Sequence, residues 1–430
     1  MKLGRLFDGS GGFPLAGSLC GIEPVWAAEV EPYPIAVTRS RFPNMKHLGD
    51  VTKINGADIE PVDIIAFGSP CQDLSVAGKR AGLKHESNGD DETTRSGLFM
   101  EAIRIIKEMR GATNGIYPRF AVWENVVGAF SSNHGEDFRT VINEIVGIVE
   151  PKAEVPPMPK GGWAYADCYV GDRWSVAYRT FDAQYWGVPQ RRRRIYLVAD
   201  FGGGCAAEIL FEREGLQGYF ETARTPWKRD ARGASPCVGA TGFDGYNGDM
   251  TVDVCATLGV NCGMSTGGMG GNNQHFVVSG ETPKTLKIRS GCEGGGKGAL
   301  IQENKSATLS CKNDQVLFEP CNARVRYIVR RLTPTECARL QGFADNWGHP
   351  DRKDAFPDEE YSFWLNVRNT YAAINGKTVR QYTRQQMLAW YNKLHTDSTE
   401  YKMWGNGIAL PCALYVMQGV KSFYQTREQY

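Results

Sequence analysis

The first 200 residues alternate short apolar runs with amphipathic stretches, and that alternation narrows the folds open to the chain. LGRLFD, VWAAEV, DIIAFG, RFAVWEN, WSVAYRTFDA and RIYLVAD read as strands. Between them lie helical stretches such as SGLFMEAIRIIKEMR (96–110) and GEDFRTVINEIVGIVE (135–150). In the first of these, Leu98, Ala102, Ile105 and Met109 fall at helical spacing. The pattern predicts an α/β domain with a mostly parallel sheet flanked by helices. Ligands of such sheets bind beyond the carboxyl ends of the strands.

After Asp200 the composition shifts to Gly, Ser, Thr and Asn, and residues 201–325 read as a second, smaller, loop-rich domain. Residues 326–403 read as a connecting, mainly helical segment that begins with an arginine-rich motif. Its TRQQMLAWYNKL opens on a capping box, Thr383 to Gln386. Residues 404–430 read as a turn and an apolar helix. The chain of 430 residues has room for these units.

Composition excludes more than it proves. Hydrophobic content of 42% and charged content of 23% are ordinary for a soluble globular protein. No apolar run is long enough to span a bilayer, and the N-terminus lacks a signal-peptide core, so a cytosolic location is expected. The twelve cysteines form no C-x-x-C pair and the six histidines are scattered, so no metal site is expected. The net charge of +1 is uninformative about nucleic acid, because local clusters such as QRRRRIYLVAD (190–200) and NARVRYIVRRLTPTECARLQGF (322–343) matter more.

Five short motifs carry chemistry. LFDGSGGFPLAG places Gly9, Gly11 and Gly12 after the first strand, where backbone can approach a ligand closely. It departs from the dinucleotide pattern G-x-G-x-x-G. Glu29 ends the second strand, where a carboxylate can accept from ribose hydroxyls. DIIAFGSPCQDL puts Cys71 on a turn just past a strand, although cysteine usually packs in cores. AVWENVV sets Glu124 beside a buried aromatic strand, a desolvated place suited to a proton donor. In QRRRRIYLVAD, Arg192 and Arg194 would share one strand face. Taken singly, each has an ordinary structural explanation: a glycine turn, a surface glutamate, a core cysteine, a helix cap at Asn125, a solvated edge.

Their order does not. Gly-rich turn, acidic strand end, Pro-Cys-Gln, Glu-Asn-Val and Gln-x-Arg-x-Arg together resemble the DNA cytosine-5 methyltransferase family. RRLTPTECARLQGF (330–343) is similar to its conserved segment after the recognition region, and GNGI (405–408) to its last cofactor motif. The resemblance implies a Rossmann-like S-adenosylmethionine-dependent domain plus a target-recognition domain. It implies that Cys71 attacks C6 of a flipped cytosine, that Glu124 donates to N3, and that Arg192 and Arg194 hold the base and Glu124. For S-adenosylmethionine it implies Phe7, Gly9, Gly11, Gly12, Glu29, Val30, Asp50, Val51, Pro70, Asn406, Gly407 and Ile408; Gly407 departs from the usual Ser or Ala. Ser75, Lys79 and Arg80 would meet DNA from the catalytic loop, Lys297 would read a base, and Arg324 and Arg326 would touch phosphates. No metal takes part. The partner is double-stranded DNA, met by a monomer, with any cognate restriction endonuclease acting outside a complex.

A tRNA cytosine methyltransferase shares this core, but the long variable region suits duplex reading in a groove. A nicotinamide dehydrogenase fails on the glycine spacing. A DNA-binding regulator needs neither Cys71 nor Glu124.

Overall fold

The computed structural model describes residues 1–69, 97–211, 240–244, 250–252, 275–279, 284–290, 297–309, 315–320 and 327–428. Five strands run parallel: β1 (Lys2–Leu6), β2 (Glu23–Ala28), β3 (Lys46–His47), β4 (Ile64–Phe67) and β5 (Phe120–Val126). Their lateral order is β3-β2-β1-β4-β5, so the winding reverses between β1 and β4. The antiparallel strands β9 (Arg193–Asp200), β7 (Ser175–Asp182) and β6 (Ala166–Val170) extend the sheet beyond β5. The two-residue strand β8 (Gln190–Arg191) stands outside this sheet.

Period-two side-chain alternation explains why β4 and β5 are apolar throughout. Ile64, Ala66, Phe120 and Val122 enter one core, while Ile65, Phe67, Ala121 and Trp123 enter the other. Helix α1 (Gly12–Leu19) and the terminal helix Leu410–Glu428 cover the first face. Helices α3 (Gly97–Ala112) and α4 (Glu136–Val146) cover the second. Both lie where the helical spacing places them. The remaining covering helix, α2 (Pro32–Arg41), supports a third core. There Phe356, Trp364, Val367, Met387 and Tyr391 close on its Ile35 and Ala36. The Thr383–Gln386 capping box is formed in both directions, at 2.9 and 3.3 Å.

The smaller region is antiparallel. Ala240–Asp244, Met250–Val252 and His275–Ser279 form one sheet. Lys284–Ser290, Lys297–Glu303, Gln315–Pro320 and Tyr327–Arg331 form another. The divisions expected at 200 and 325 fall inside structural units. The helix Ala206–Leu210 buries Ala206, Ile209 and Leu210 in the main core, and the small sheet continues past residue 325 to Arg331. A change in composition does not mark where a strand finds its last partner. Ser306 and Ala307 pair with β8 and tie the two regions together. Among the described residues no helix is long and apolar enough to cross a membrane.

Candidate active site

Parallel strands finish at one edge of the sheet, and the register fixes which residues emerge there together. Leu6 lies beside Ala28 and Phe67, and Phe67 beside Trp123. The residues that follow them, Phe7, Glu29 and Gly68, therefore leave the sheet side by side at the β1/β4 reversal, where ligands of such folds bind. Glu124, expected at the end of its strand, lies instead inside β5 next to that edge, paired with Tyr196. The antiparallel β9 begins at this same edge, with Arg194 opposite Val126.

The glycine turn is held by a carboxylate. Phe7, Gly9 and Gly11 have φ of +58°, +59° and +74°. Glycine occupies that region without steric cost. Nothing lies within 4 Å of where a Cβ of Gly9 would be, so the turn leaves open space. Glu29 Oε2 accepts from the Gly9 N–H at 2.8 Å, and Oε1 from the N–H groups of Val30 (2.8 Å) and Glu31 (3.0 Å). Burial raises the Glu29 carboxyl above its usual range, and these backbone donors oppose the rise. Asp50 caps the short helix Val51–Lys53, accepting from the Thr52 N–H at 3.0 Å, and Val51 is buried.

Glu124 pairs with Arg194, Oε1 to Nε at 3.2 Å. A Cβ on Gly68 would lie 3.2 Å from Glu124 Oε2 and 3.7 Å from Arg5 Nη2, so the end of β4 is bare backbone against that carboxylate. Pro70, Cys71, Ser75, Lys79, Arg80, Arg324 and Arg326 lie outside the described residues. Lys297 opens a strand, its backbone paired with Ser290.

The expected single arginine strand is broken. Arg192 falls between β8 and β9, so it does not share a strand face with Arg194. It is buried and donates to the carbonyl of Gly407, and to that of Gly405 at 3.4 Å. Its own N–H donates to Asp182 at 3.1 Å. The far end of the chain is thereby seated on the edge. A Cβ on Gly12 would meet Ile408 Cγ1 at 2.5 Å, so that glycine makes room for Ile408. A Cβ on Gly407 would meet Gln341 Oε1 at 2.8 Å and Ser10 Oγ at 3.0 Å, which gives the Gly407 departure a packing cause. Asn406 is exposed between these anchored neighbours.

Sequence reasoning missed Arg5, Asp8, Ser10 and Gln341. Asp8 is only 3% exposed, and neither carboxylate oxygen has a hydrogen-bond partner among the described residues. Burial pushes it up to about 7, against the pull of Arg5. The buried Ser10 hydroxyl also lacks a partner there. The available signal was a charged residue inside and just after an apolar strand, Arg5 and Asp8 flanking Leu6 and Phe7.

Residues 1–147 match the family described as C-5 cytosine-specific DNA methylase. A protein of Escherichia phage P1 described as a DNA N-6-adenine-methyltransferase is 29% identical over 96% of this chain. This chain spans only 60% of that longer relative. The type II methyltransferase M.HhaI of Haemophilus parahaemolyticus is 26% identical, over 86% of this chain and 92% of that one. Among solved structures, the S. pombe Dnmt2 methyltransferase has a TM-score of 0.50 at 11% identity, covering 99% of both chains. That likeness concerns the fold.

Proposed function

The chain belongs to the C-5 cytosine-specific DNA methylase family, and from that premise we propose that it methylates C5 of cytosine at specific sites in duplex DNA. The observation that carries this reading is the Glu124–Arg194 pair set against the bare end of β4, with Cys71 three residues beyond Gly68 in the sequence. Cytosine C6 is a weak electrophile unless N3 is protonated. Cys71 adds to C6 as Glu124 delivers a proton to N3, which makes C5 nucleophilic. After C5 is methylated, a base takes the C5 proton, the thiolate is expelled, and N3 returns its proton to the Glu124 carboxylate, which restores the neutral aromatic ring. The reacting base must first leave the stack, as in methyltransferases generally.

The residues at the edge fit S-adenosylmethionine, which supplies an electrophilic methyl group. Gly9 leaves an open cradle, Glu29 keeps acceptor capacity for ribose hydroxyls, and the Ser10 hydroxyl and Asp8 carboxylate await partners. Asp8 suits a cationic sulfonium, since a nearby positive charge favours its ionised form. Phe7, Gly11, Gly12, Val30, Asp50, Val51, Pro70, Asn406, Gly407 and Ile408 would complete the pocket. Arg192 holds the Gly405–Gly407 carbonyls and so positions that wall. Ser75, Lys79, Arg80, Arg324 and Arg326 would contact the DNA backbone and Lys297 a base edge. The chain would work as a monomer in the cytosol of a bacterium or a phage-infected cell.

The description of the phage relative favours one alternative, methylation of the adenine amino group. Amine methylation needs no thiol addition to the ring, so the two readings predict different products. Incubation with duplex DNA and labelled S-adenosylmethionine, followed by nucleoside analysis, should yield 5-methylcytosine. Labelled N6-methyladenine, or label in tRNA alone, would refute the proposal.

A further inference from the structure

Glu400 is 1% exposed, on the helix Asp397–Asn406 that leads to the cofactor wall. Its Oε1 accepts from Trp404 Nε1 at 3.1 Å. Its Oε2 faces two imidazoles, His395 Nε2 at 2.7 Å and His349 Nε2 at 3.9 Å. Among the described residues these histidines are its only ion-pair partners; no lysine or arginine reaches it. A carboxylate removed from water is costly unless a cation compensates it.

We propose that His349, His395 and Glu400 bind a divalent transition-metal ion, with zinc the best-matched ion. One nitrogen or oxygen from each residue lies within 4.8 Å of the others. Four-coordinate zinc holds such donors at about 2.0–2.2 Å, which sets them roughly 3.4 Å apart. The two distances to Glu400, 2.7 and 3.9 Å, bracket that separation, and both rings are exposed enough to close the wider spacing, up to 4.8 Å, within the group. Two imidazoles and one carboxylate form a mixed set that suits zinc, whereas magnesium and calcium favour oxygen alone. The exposed side of the rings leaves a fourth position for water.

The surroundings orient the donors. The His395 ring lies parallel to Tyr33, with centroids 5.7 Å apart and planes 4° off. Tyr33 also donates to the Gly348 carbonyl at 2.5 Å, so one side chain steadies both histidine segments. Any side chain at 348 would strike Glu400, since a Cβ there would lie 2.6 Å from Oε1. The site is a brace and takes no part in methyl transfer. Just before His349, Trp347 donates to the Ser10 carbonyl of the glycine turn at 2.8 Å, and the Glu400 helix ends at the Gly407 held by Arg192. An ion here would fasten together two segments that both reach the cofactor edge.

The competing occupant is a proton, giving a charged His395 paired with Glu400. Calorimetric titration of the untagged full-length chain with zinc at pH 8, after chelator treatment, separates the two. The same titration on the His349→Ala/His395→Ala variant accounts for zinc taken by free cysteines. The wild type should bind one more equivalent than the variant, and its Tm should rise with stoichiometric zinc while the variant's stays put. Glu400→Gln should weaken that equivalent at least tenfold; His349→Ala, which leaves the close His395–Glu400 pair in place, should weaken it as well and keeps the test valid if Glu400→Gln or the double variant misfolds. Equal stoichiometry and equal Tm in wild type and double variant would overturn the site.

Discussion

Two ion pairs, one in each sheet system, have similar separations but differ in the exposure of their carboxylates. Glu124 and Arg194 meet at 3.2 Å with side chains 11% and 14% exposed. Lys284 and Glu303 meet at 2.9 Å, directly opposite on a hairpin; Lys284 is buried at 9% exposure, but Glu303 is 62% exposed. The shorter pair is the weaker one. Water screens its carboxylate, so it contributes about 0–1 kcal/mol. The longer pair sits where each charge depends on the other, and removing one partner of a buried pair is far more disruptive. On the proposed function, charge at the carboxyl edge of the large sheet would serve chemistry and assembly, while the exposed Glu303 carboxylate of the small antiparallel region would be replaceable.

The proposed contrast fails at once if activity survives loss of the proposed nucleophile. Cys71→Ser should abolish methylation while S-adenosylmethionine binding, measured by calorimetry, persists. Measurable turnover by that variant would move the nucleophile elsewhere. Glu124→Gln comes next. Glutamine can hydrogen-bond but cannot deliver a proton, and general acid–base groups contribute typically about 100- to 10,000-fold. A single-turnover rate within threefold of wild type would show that another group protonates N3.

Asp8 sharpens the contrast through pH. Its carboxyl is raised from the ordinary 3.8 to about 7, chiefly by burial. A carboxyl raised on folding contributes stability that is complete below about pH 4 and lost as pH rises through about 7. At about 1.4 kcal/mol per unit, the loss approaches roughly 4 kcal/mol as an upper limit. Asp8→Asn cannot ionise and should flatten the decline in unfolding free energy between pH 5 and pH 8, read by urea denaturation. An unchanged slope would mean that Asp8 is charged and compensated. Added S-adenosylmethionine should also flatten the wild-type slope if its sulfonium meets Asp8.

The sequence made the edge legible because its parts are local. β1, β4 and β5 are short apolar runs, and Glu29 and Glu124 end or follow such runs within a few residues. What brings the edge together was not legible. Arg192 and Gly407 are 215 positions apart, and nothing in Gly12 announces that Ile408 fills the space above it. The strand break at Arg192 also escaped period-two reasoning, because β8 pairs with Ser306 and Ala307, far away in sequence, rather than with the large sheet. His349, His395 and Glu400 have no recognisable ligand spacing in sequence; Tyr33 of α2, stacked on His395 and bonded to the Gly348 carbonyl, holds the two histidine segments near each other.

A smaller effect is expected in the proposed recognition region. Lys297→Ala should lower discrimination at one base pair by roughly 1–3 kcal/mol if the lysine makes a bidentate contact. Turnover on the preferred site should stay near wild type, because base-edge contacts specify while phosphate contacts position. Methylation profiling on a random duplex library measures both quantities at once. A uniform loss of rate with unchanged preference would place Lys297 on the backbone or on the chemistry.

The smallest effect tests the premise of the comparison itself. Glu303→Gln removes the exposed carboxylate of the pair but keeps the shape of the side chain. Lys284 remains on the opposite strand, and the strand pairing from Lys284↔Glu303 to Ser290↔Lys297 does not depend on the carboxylate. The unfolding free energy should fall by no more than about 1 kcal/mol. That difference should shrink further in high salt, which screens exposed charges over a Debye length of about 3 Å at 1 M. Turnover and target sequence should not change. A loss of several kcal/mol that resists salt would mean that the small sheet, like the edge of the large one, relies on its charges, and the division between a committed edge and a replaceable module would have to be abandoned.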